Sequence, residues 1–330
     1  MLRHPFRLHL ASSRLPFRLA TAQPPFHPTR ASHLLLLHEA RLQNMAFERS
    51  SPLTRRLLAP NPGPMTLDGT NSYLISAPGS ETVVVVDPGP RNEDHLAALA
   101  ADGRVELVLI THHHRDHSEA SVRFAELTGA PVRAADPAFC VPAFGIPALG
   151  IPALDIPALD ITGEPLVDGE VIEAGGARIR VIATPGHTND SVCFHLPDDG
   201  PNGSVLTGDT ILGRGTTIIA DPDGTLGDYL RSLAVLRELG PATVLPAHGP
   251  VLPDLVTICD AYLAHRRERL DQVRRALAEL GSDATASGDR SFEQLVGRVT
   301  DLVYSETDAA VRFAAEASVR AQLAWLRAAD

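Results

Sequence analysis

From Phe47 onward the apolar positions fall into two rhythms. The segment NSYLISA (Asn71–Ala77) and the run TVVVVDPG (Thr82–Gly89) read as strands separated by the turn PGS. A helix is expected around Glu93–Ala101, then a buried strand, VELVLI (Val105–Ile110), and an amphipathic helix, Ser118–Leu127, closed by Gly129. The short strand PVRAA (Pro131–Ala135) follows. Strands VIEAGG, ARIRVIAT, SVCFHL and SVLTGDT occupy 171 to 210, and the strand-like ATVLPA precedes His248. Strands alternating with helices indicate an α/β domain, placed at 45–252. After Pro253 the composition shifts to Ala, Leu, Arg and Glu. Helices are expected at Leu255–Leu280, ending at Gly281, at Ser291–Tyr304 and at Asp308–Ala328, which makes 253–330 a helical module.

Two stretches depart from this pattern. Residues 1–44 are rich in arginine and hold no acid before Glu39. That composition fits an organellar transit peptide or, as we prefer, an over-called start with Met45 as initiator, and disorder is expected either way. Residues 141–160 repeat a pentapeptide: VPAFG, IPALG, IPALD, IPALD. Proline every five residues forbids a regular helix or a central strand. An expanded surface loop is the reading preferred over an apolar lip beside a site.

Composition narrows the field. The chain has 330 residues, 44% hydrophobic and 21% charged, which is ordinary for a globular protein. No apolar run approaches the length of a membrane span. Three widely spaced cysteines, Cys140, Cys193 and Cys259, argue against a disulfide framework and suit a cytoplasmic location. All the basic residues are arginine, which reads as codon bias. A formal net charge of −11 disfavours a main affinity for phosphate backbones.

The candidate chemistry begins at THHHRDH, Thr111–His117. Beyond VELVLI the chain is still extended, so His112 and His114 share a face while His113 points away, towards a neighbouring sheet or solvent. Asp116 and His117 open the next element and project towards the same centre. Three isolated signals follow, each after a strand: His187 in TPGHT, Asp209 in LTGDT and His248 in LPAHGP. Strand ends are where α/β sites collect. The ligands suffice for two metals: His112, His114 and His187 for one, Asp116, His117 and His248 for the other, with Asp209 between them. Imidazole and carboxylate donors suit two Zn²⁺, and Fe or Mn nearly as well. Two metals sharing a water would generate hydroxide near neutral pH and polarise a substrate oxygen.

Taken in order, THHHRDH, TPGHT, LTGDT and AHGP resemble the metallo-β-lactamase superfamily over roughly residues 60 to 252. The resemblance implies an αβ/βα four-layer sandwich with a metal pair at one edge of two packed sheets. GTNSYLI (Gly69–Ile75), GRGTTII after LTGDT, and YLAHRRER (Tyr262–Arg269) look like the β-lactamase-like-protein-2 branch, in which a winged-helix-type module follows the hydrolase. Members of that branch are linked to single-stranded RNA cleavage in mitochondria, while most bacterial ones are hydrolases of unassigned substrate. The sequence departs from it in the Ile-Pro-Ala-Leu insertion. It also ends at Asp330 right after the last expected helix, without room for the β-hairpin wing.

The reading is a dinuclear metal-dependent hydrolase acting on an ester, thioester, lactone or related bond of a small molecule, with Asp116 as proton acceptor as well as ligand. Its rivals are an endoribonuclease for single-stranded RNA and a non-hydrolytic metal-binding redox or regulatory protein. Asp87 either orients a ligand histidine or merely belongs to the turn DPG. His265 and Arg266 either hold a substrate anion at the site mouth or, the preferred reading, belong to a solvated charged face. Thr216 and Thr217 are candidate cleft residues, and His195 is read as structural.

Overall fold

Strands with apolar side chains on both faces set the architecture. In β4 (Thr82–Val86), Val84 and Val86 enter one core while Val83 and Val85 enter another. In β5 (Arg104–Leu109), Leu107 and Leu109 face the first core, Val105 and Val108 the second. Such a sheet needs a layer on each side, which explains why its central strands read as continuous apolar runs. Val105 and Leu107 sit on opposite faces because the β4–β5 register shifts between them. The intervening Glu106 carboxylate accepts from Thr82 Oγ1 at 2.6 Å and from the Gly175 N–H at 2.9 Å.

The computed structural model of the protein describes residues 46–143, 163–219, 221–281 and 289–329. The expectations for residues 1–44, and for the repeat beyond Ala143, fall outside these residues. The first sheet orders β1 (Glu48–Arg49), β2 (Thr54–Leu58), β3 (Asn71–Ile75), β4, β5 and β6 (Val132–Arg133) as they occur in the chain. The second orders β11 (Thr243–Pro246), β10 (Ser204–Gly208), β9 (Val192–Leu196), β8 (Ala177–Ala183) and β7 (Val171–Ala174). Both sheets are mixed: β4–β5–β6 and β10–β11 pair in parallel, the other neighbours antiparallel.

Tyr73, Ile75, Val84 and Leu109 of the first sheet meet Ile179, Val181, Phe194 and Leu206 of the second in the central core. Helices α1 (Glu93–Ala101) and α3 (Ser121–Thr128) cover the first sheet with Leu96, Leu99 and Phe124. Helices α4 (Leu226–Glu238) and α5 (Leu255–Leu280) cover the second with Tyr229, Leu233, Leu255 and Cys259. The result is the expected αβ/βα sandwich. Two further helices, α6 (Asp289–Val303) and α7 (Arg312–Ala329), close a smaller core with the far half of α5 around Val273, Val299, Val319 and Leu323. Helices α5–α7 are the C-terminal helical module. No helix among the described residues is long and apolar enough to cross a membrane.

One helix differs from the sequence reading. The helix expected over Ser118–Leu127 is split into α2 (Arg115–Ser118) and α3. The Ala120 N–H donates to the Gly89 carbonyl at 3.2 Å, which takes it out of the helical ladder. The repeat is anchored at its base, where Val141 pairs with Val132. The chain returns at Gly163, where a Cβ would lie 2.9 Å from the Val141 carbonyl carbon. Val141 and Gly163 therefore lie side by side.

Candidate functional site

The seven sequence-predicted residues come together at one edge of the two sheets. His112 and His114 follow β5, while Asp116 and His117 lie in the short α2. His187 follows β8 through the turn Pro185–Gly186; Asp209 directly follows β10, and His248 follows β11. Tight turns between buried strands and the helices that cover them force these side chains into a small space.

His114 Nδ1 lies 3.1 Å from His112 Nε2 and 3.1 Å from His187 Nε2, so three imidazole nitrogens converge. Across from them, Asp116 Oδ2 lies 3.2 Å from both His117 Nε2 and His248 Nε2. Asp209 spans the two groups. Its Oδ1 is 3.3 Å from His248 Nε2 and 3.8 Å from His117 Nε2, and its Oδ2 is 3.6 Å from His187 Nε2.

Each buried histidine is aimed by its other nitrogen. His117 Nδ1 meets Asp87 Oδ2 at 2.8 Å, His187 Nδ1 the Ile218 carbonyl at 2.6 Å, and His248 Nδ1 the Gly69 carbonyl at 3.1 Å. His112 Nδ1 lies 3.1 Å from Thr111 Oγ1, which donates to Asp87 Oδ2 at 2.7 Å. Only a histidine that donates from Nδ1 keeps Nε2 free as a ligand. One carboxylate, Asp87, thus steadies a histidine in each group. Thr70 Oγ1 donates to Asp116 Oδ2 at 3.1 Å and itself accepts from Asn61 Nδ2 at 3.0 Å.

Electrostatics divides the groups. Burial, reinforced by the neighbouring imidazoles, depresses His112 well below the usual histidine range and takes His114 down to about 4; burial also lowers His187. These rings are neutral donors. Burial opposes charge on His117 too, but Asp116, Asp87 and Asp209 more than offset it and hold its pKa well above the ordinary value. Burial likewise works against charge on Asp116, and His117 and His248 overcome it, so the carboxylate stays ionised.

A divalent cation fits this arrangement. Asp209 Oδ1 and His117 Nε2 are buried without a hydrogen-bond partner, a costly state that a cation between them relieves. Three sets of ligand atoms each gather within 4.8 Å: His112, His114 and His187; His112, His117 and Asp209; and Asp116, His117 and His248.

The sequence pattern of the Metallo-beta-lactamase superfamily matches residues 65–248, a stretch that runs from just before β3 to the last of the seven residues. The chain belongs to this superfamily. Among metallo-beta-lactamase relatives, a "Beta-lactamase-like protein 2 homolog" of Caenorhabditis elegans is 30% identical over 83% of this chain and 84% of its own. An "Atrochrysone carboxyl ACP thioesterase" of Aspergillus chevalieri is 31% identical over 76% of this chain and 74% of its own. A metallo-beta-lactamase family protein from Thermus thermophilus superimposes with a TM-score of 0.61 at 26% identity, covering 84% of this chain and 94% of that one.

Residues around this metallo-beta-lactamase centre refine the sequence reading. His113 belongs to none of the three ligand sets. Its side chain is 30% exposed, in keeping with the solvent alternative. Its Nδ1 meets Asp190 Oδ1 at 2.8 Å and its Nε2 lies 3.5 Å from Asp223 Oδ2. Arg266 belongs to neither reading offered for it. It is 3% exposed, donates to the Thr217 carbonyl and lies over the Tyr229 ring at 4.9 Å, so it is neither solvated nor held out to an anion. His265 Nε2 lies 3.5 Å from Thr216 Oγ1. Thr217 is a support beneath Asp209 rather than a cleft wall: its hydroxyl donates to the Asp209 carbonyl at 2.6 Å. The sequence reading has no role for Thr70, Thr111 or Asn61. Thr111 adjoins the histidine run, and Thr70 lies in the quoted segment GTNSYLI, so both were within reach of it.

Proposed function

We propose that this chain is a dinuclear metal-dependent hydrolase acting on acyl thioesters or on related esters and lactones. The observation that carries the reading is Asp209, whose two oxygens face two separate ligand groups. Support for the bond class comes from relatives named atrochrysone carboxyl ACP thioesterase in Aspergillus chevalieri and in Aspergillus fumigatus. In this reading His112, His114 and His187 hold one ion, Asp116, His117 and His248 the other, and residues 45–252 form the hydrolase domain. The mixed nitrogen and oxygen set suits Zn²⁺ best, with Fe or Mn close behind. When bound, such ions lower the pKa of water and polarise a carbonyl oxygen.

The chain's own residues do the rest. Neutral His112, His114 and His187 present lone pairs without first losing a proton. Asp87 fixes the ring of His117, and the Gly69 carbonyl fixes that of His248. The contacts of Asp116 with Thr70, His117 and His248 all run through Oδ2. In this reading its Oδ1, outside those contacts, would take the proton of the attacking water.

The test is thiol release from acyl-coenzyme A and acyl-carrier-protein thioesters, run beside lactones, phosphodiesters and single-stranded RNA, with metal content measured on the same samples. Turnover of a thioester, ester or lactone that is lost on chelation and in Asp209→Ala supports the reading. Full turnover by metal-stripped protein would sink it. Cleavage of RNA alone, weakening steeply as salt rises, favours the nuclease instead.

A further inference from the structure

Two segments singled out in the sequence, GRGTTII and YLAHRRER, prove to be the two sides of one contact. Residues 210–218 form a loop bound to three of the seven site residues. The Thr217 hydroxyl donates to the Asp209 carbonyl at 2.6 Å, the Ile218 carbonyl receives His187 Nδ1 at 2.6 Å, and the Gly213 N–H donates to the His248 carbonyl at 2.7 Å. This one loop thereby touches both ligand groups and the residue between them. Whatever fixes this loop fixes these three residues.

What fixes it is α5, which lies beyond the matched residues 65–248. Tyr262 and Arg266 are four residues apart on one helical face, and both are buried. The Tyr262 hydroxyl accepts from the Leu212 N–H at 3.0 Å and lies 3.2 Å from the Gly215 carbonyl. The Arg266 guanidinium stacks on Tyr229 and donates to the Thr217 carbonyl, on the residue that supports Asp209. Tyr229 closes the frame, donating to the Thr210 carbonyl at 2.8 Å. A buried guanidinium spent on a single loop carbonyl is hard to explain as packing alone, since an apolar side chain would fill the space without desolvating a charge.

We infer that Tyr262 and Arg266 are positioning residues of the metal centre, acting through the 210–218 loop on Asp209, His187 and His248. Helix α5 is then part of the frame behind the site, acting through this loop. The inference rests on the metal-centre reading above.

The decisive experiment loads full-length, metal-stripped protein with Co²⁺ and records affinity and the visible ligand-field spectrum, which reports coordination geometry independently of turnover. Arg266→Met keeps the bulk and removes the donor, Arg266→Lys restores a donor without the planar stack, and Tyr262→Phe removes one hydroxyl. The expected result is about tenfold weaker Co²⁺ binding with an altered spectrum in Arg266→Met, the scale seen for outlying partners of metal ligands. Arg266→Lys should recover part of the loss, and Tyr262→Phe should show a smaller change of the same kind. Folded variants that bind Co²⁺ with wild-type affinity and spectrum would overturn the inference. If Arg266→Met does not fold, Tyr262→Phe decides by the same criteria. Wild-type protein that takes up no Co²⁺ would instead overturn the metal-centre reading, and this inference with it.

Discussion

At the residue scale, carboxylates and hydroxyls stand one step behind the candidate ligands and orient them. Asp87 accepts from the Thr111 N–H at 2.8 Å and from the Thr111 hydroxyl, and it aims His117. Asp87→Asn keeps the shape but puts an amide where two donors converge. Metal affinity should fall about 10- to 100-fold, read by competition with a chelating dye; an unchanged affinity would remove Asp87 from the account. A second residue-scale prediction concerns His95, fully buried in α1 and 2.9 Å from Ser72 Oγ. Burial takes its pKa from 6.5 down to about 4. Below pH 6.5 the unfolded chain binds a proton that the folded one refuses. Stability from this group is therefore complete above pH 6.5 and lost as pH falls towards 4, on the order of 3 kcal/mol in all. Urea midpoints at pH 7 and pH 5 should differ less in His95→Gln than in wild type, and an equal difference would contradict this.

His113 marks how far residue-level reading reaches. Strand alternation separates it from His112 and His114, and it belongs to none of the ligand sets. Its partners Asp190 and Asp223 lie 77 and 110 positions away in the chain, so no local spacing could announce them. Arg266, 49 positions from Thr217, was likewise hidden from a helical-face argument, which cannot see a loop arriving from another part of the fold.

At the scale of elements, strands buried on both faces were the most legible, because an apolar run such as Val83–Val86 has no other home. Helix α1 and helix α5 match their expected bounds, Glu93–Ala101 and Leu255–Leu280. Helix α4 has no counterpart in the sequence reading, although Thr225 caps its first turn by accepting from the Asp228 N–H at 3.1 Å. The split of α2 from α3 was not legible, since it follows from a hydrogen bond to Gly89 in another segment. Close packing between elements gives a further prediction at Gly186, just before His187. Its φ is +142°, and a Cβ would fall 2.4 Å from the Tyr229 Cα. Gly186→Ala must push α4 away or displace His187. It should lower both the thermal midpoint and the bound metal, and retention of both would show that the contact can relax. By contrast, replacing residues 144–162 with a short Gly/Ser linker should leave the thermal midpoint nearly unchanged, because Val141 and Gly163 already meet. Loss of folding in that variant would make the repeat part of the core.

At the scale of the whole molecule, two mixed sheets turn their strand ends to one edge, and four helices cover their outer faces. The resemblance carried by THHHRDH, TPGHT, LTGDT and AHGP made this architecture legible, since it implied the αβ/βα sandwich. What it did not reveal is that α5 serves both the sandwich core and the helical module, through Tyr262 and Leu270 on one side and Val273 on the other. The measurement that bears most directly on the account is metal stoichiometry by calorimetric titration of stripped protein. Wild type should bind two divalent ions per chain, and Asp209→Ala should lose tight binding at both positions together with hydrolysis. Wild-type binding of no ion, or two ions held equally well without Asp209, would contradict the two-metal centre.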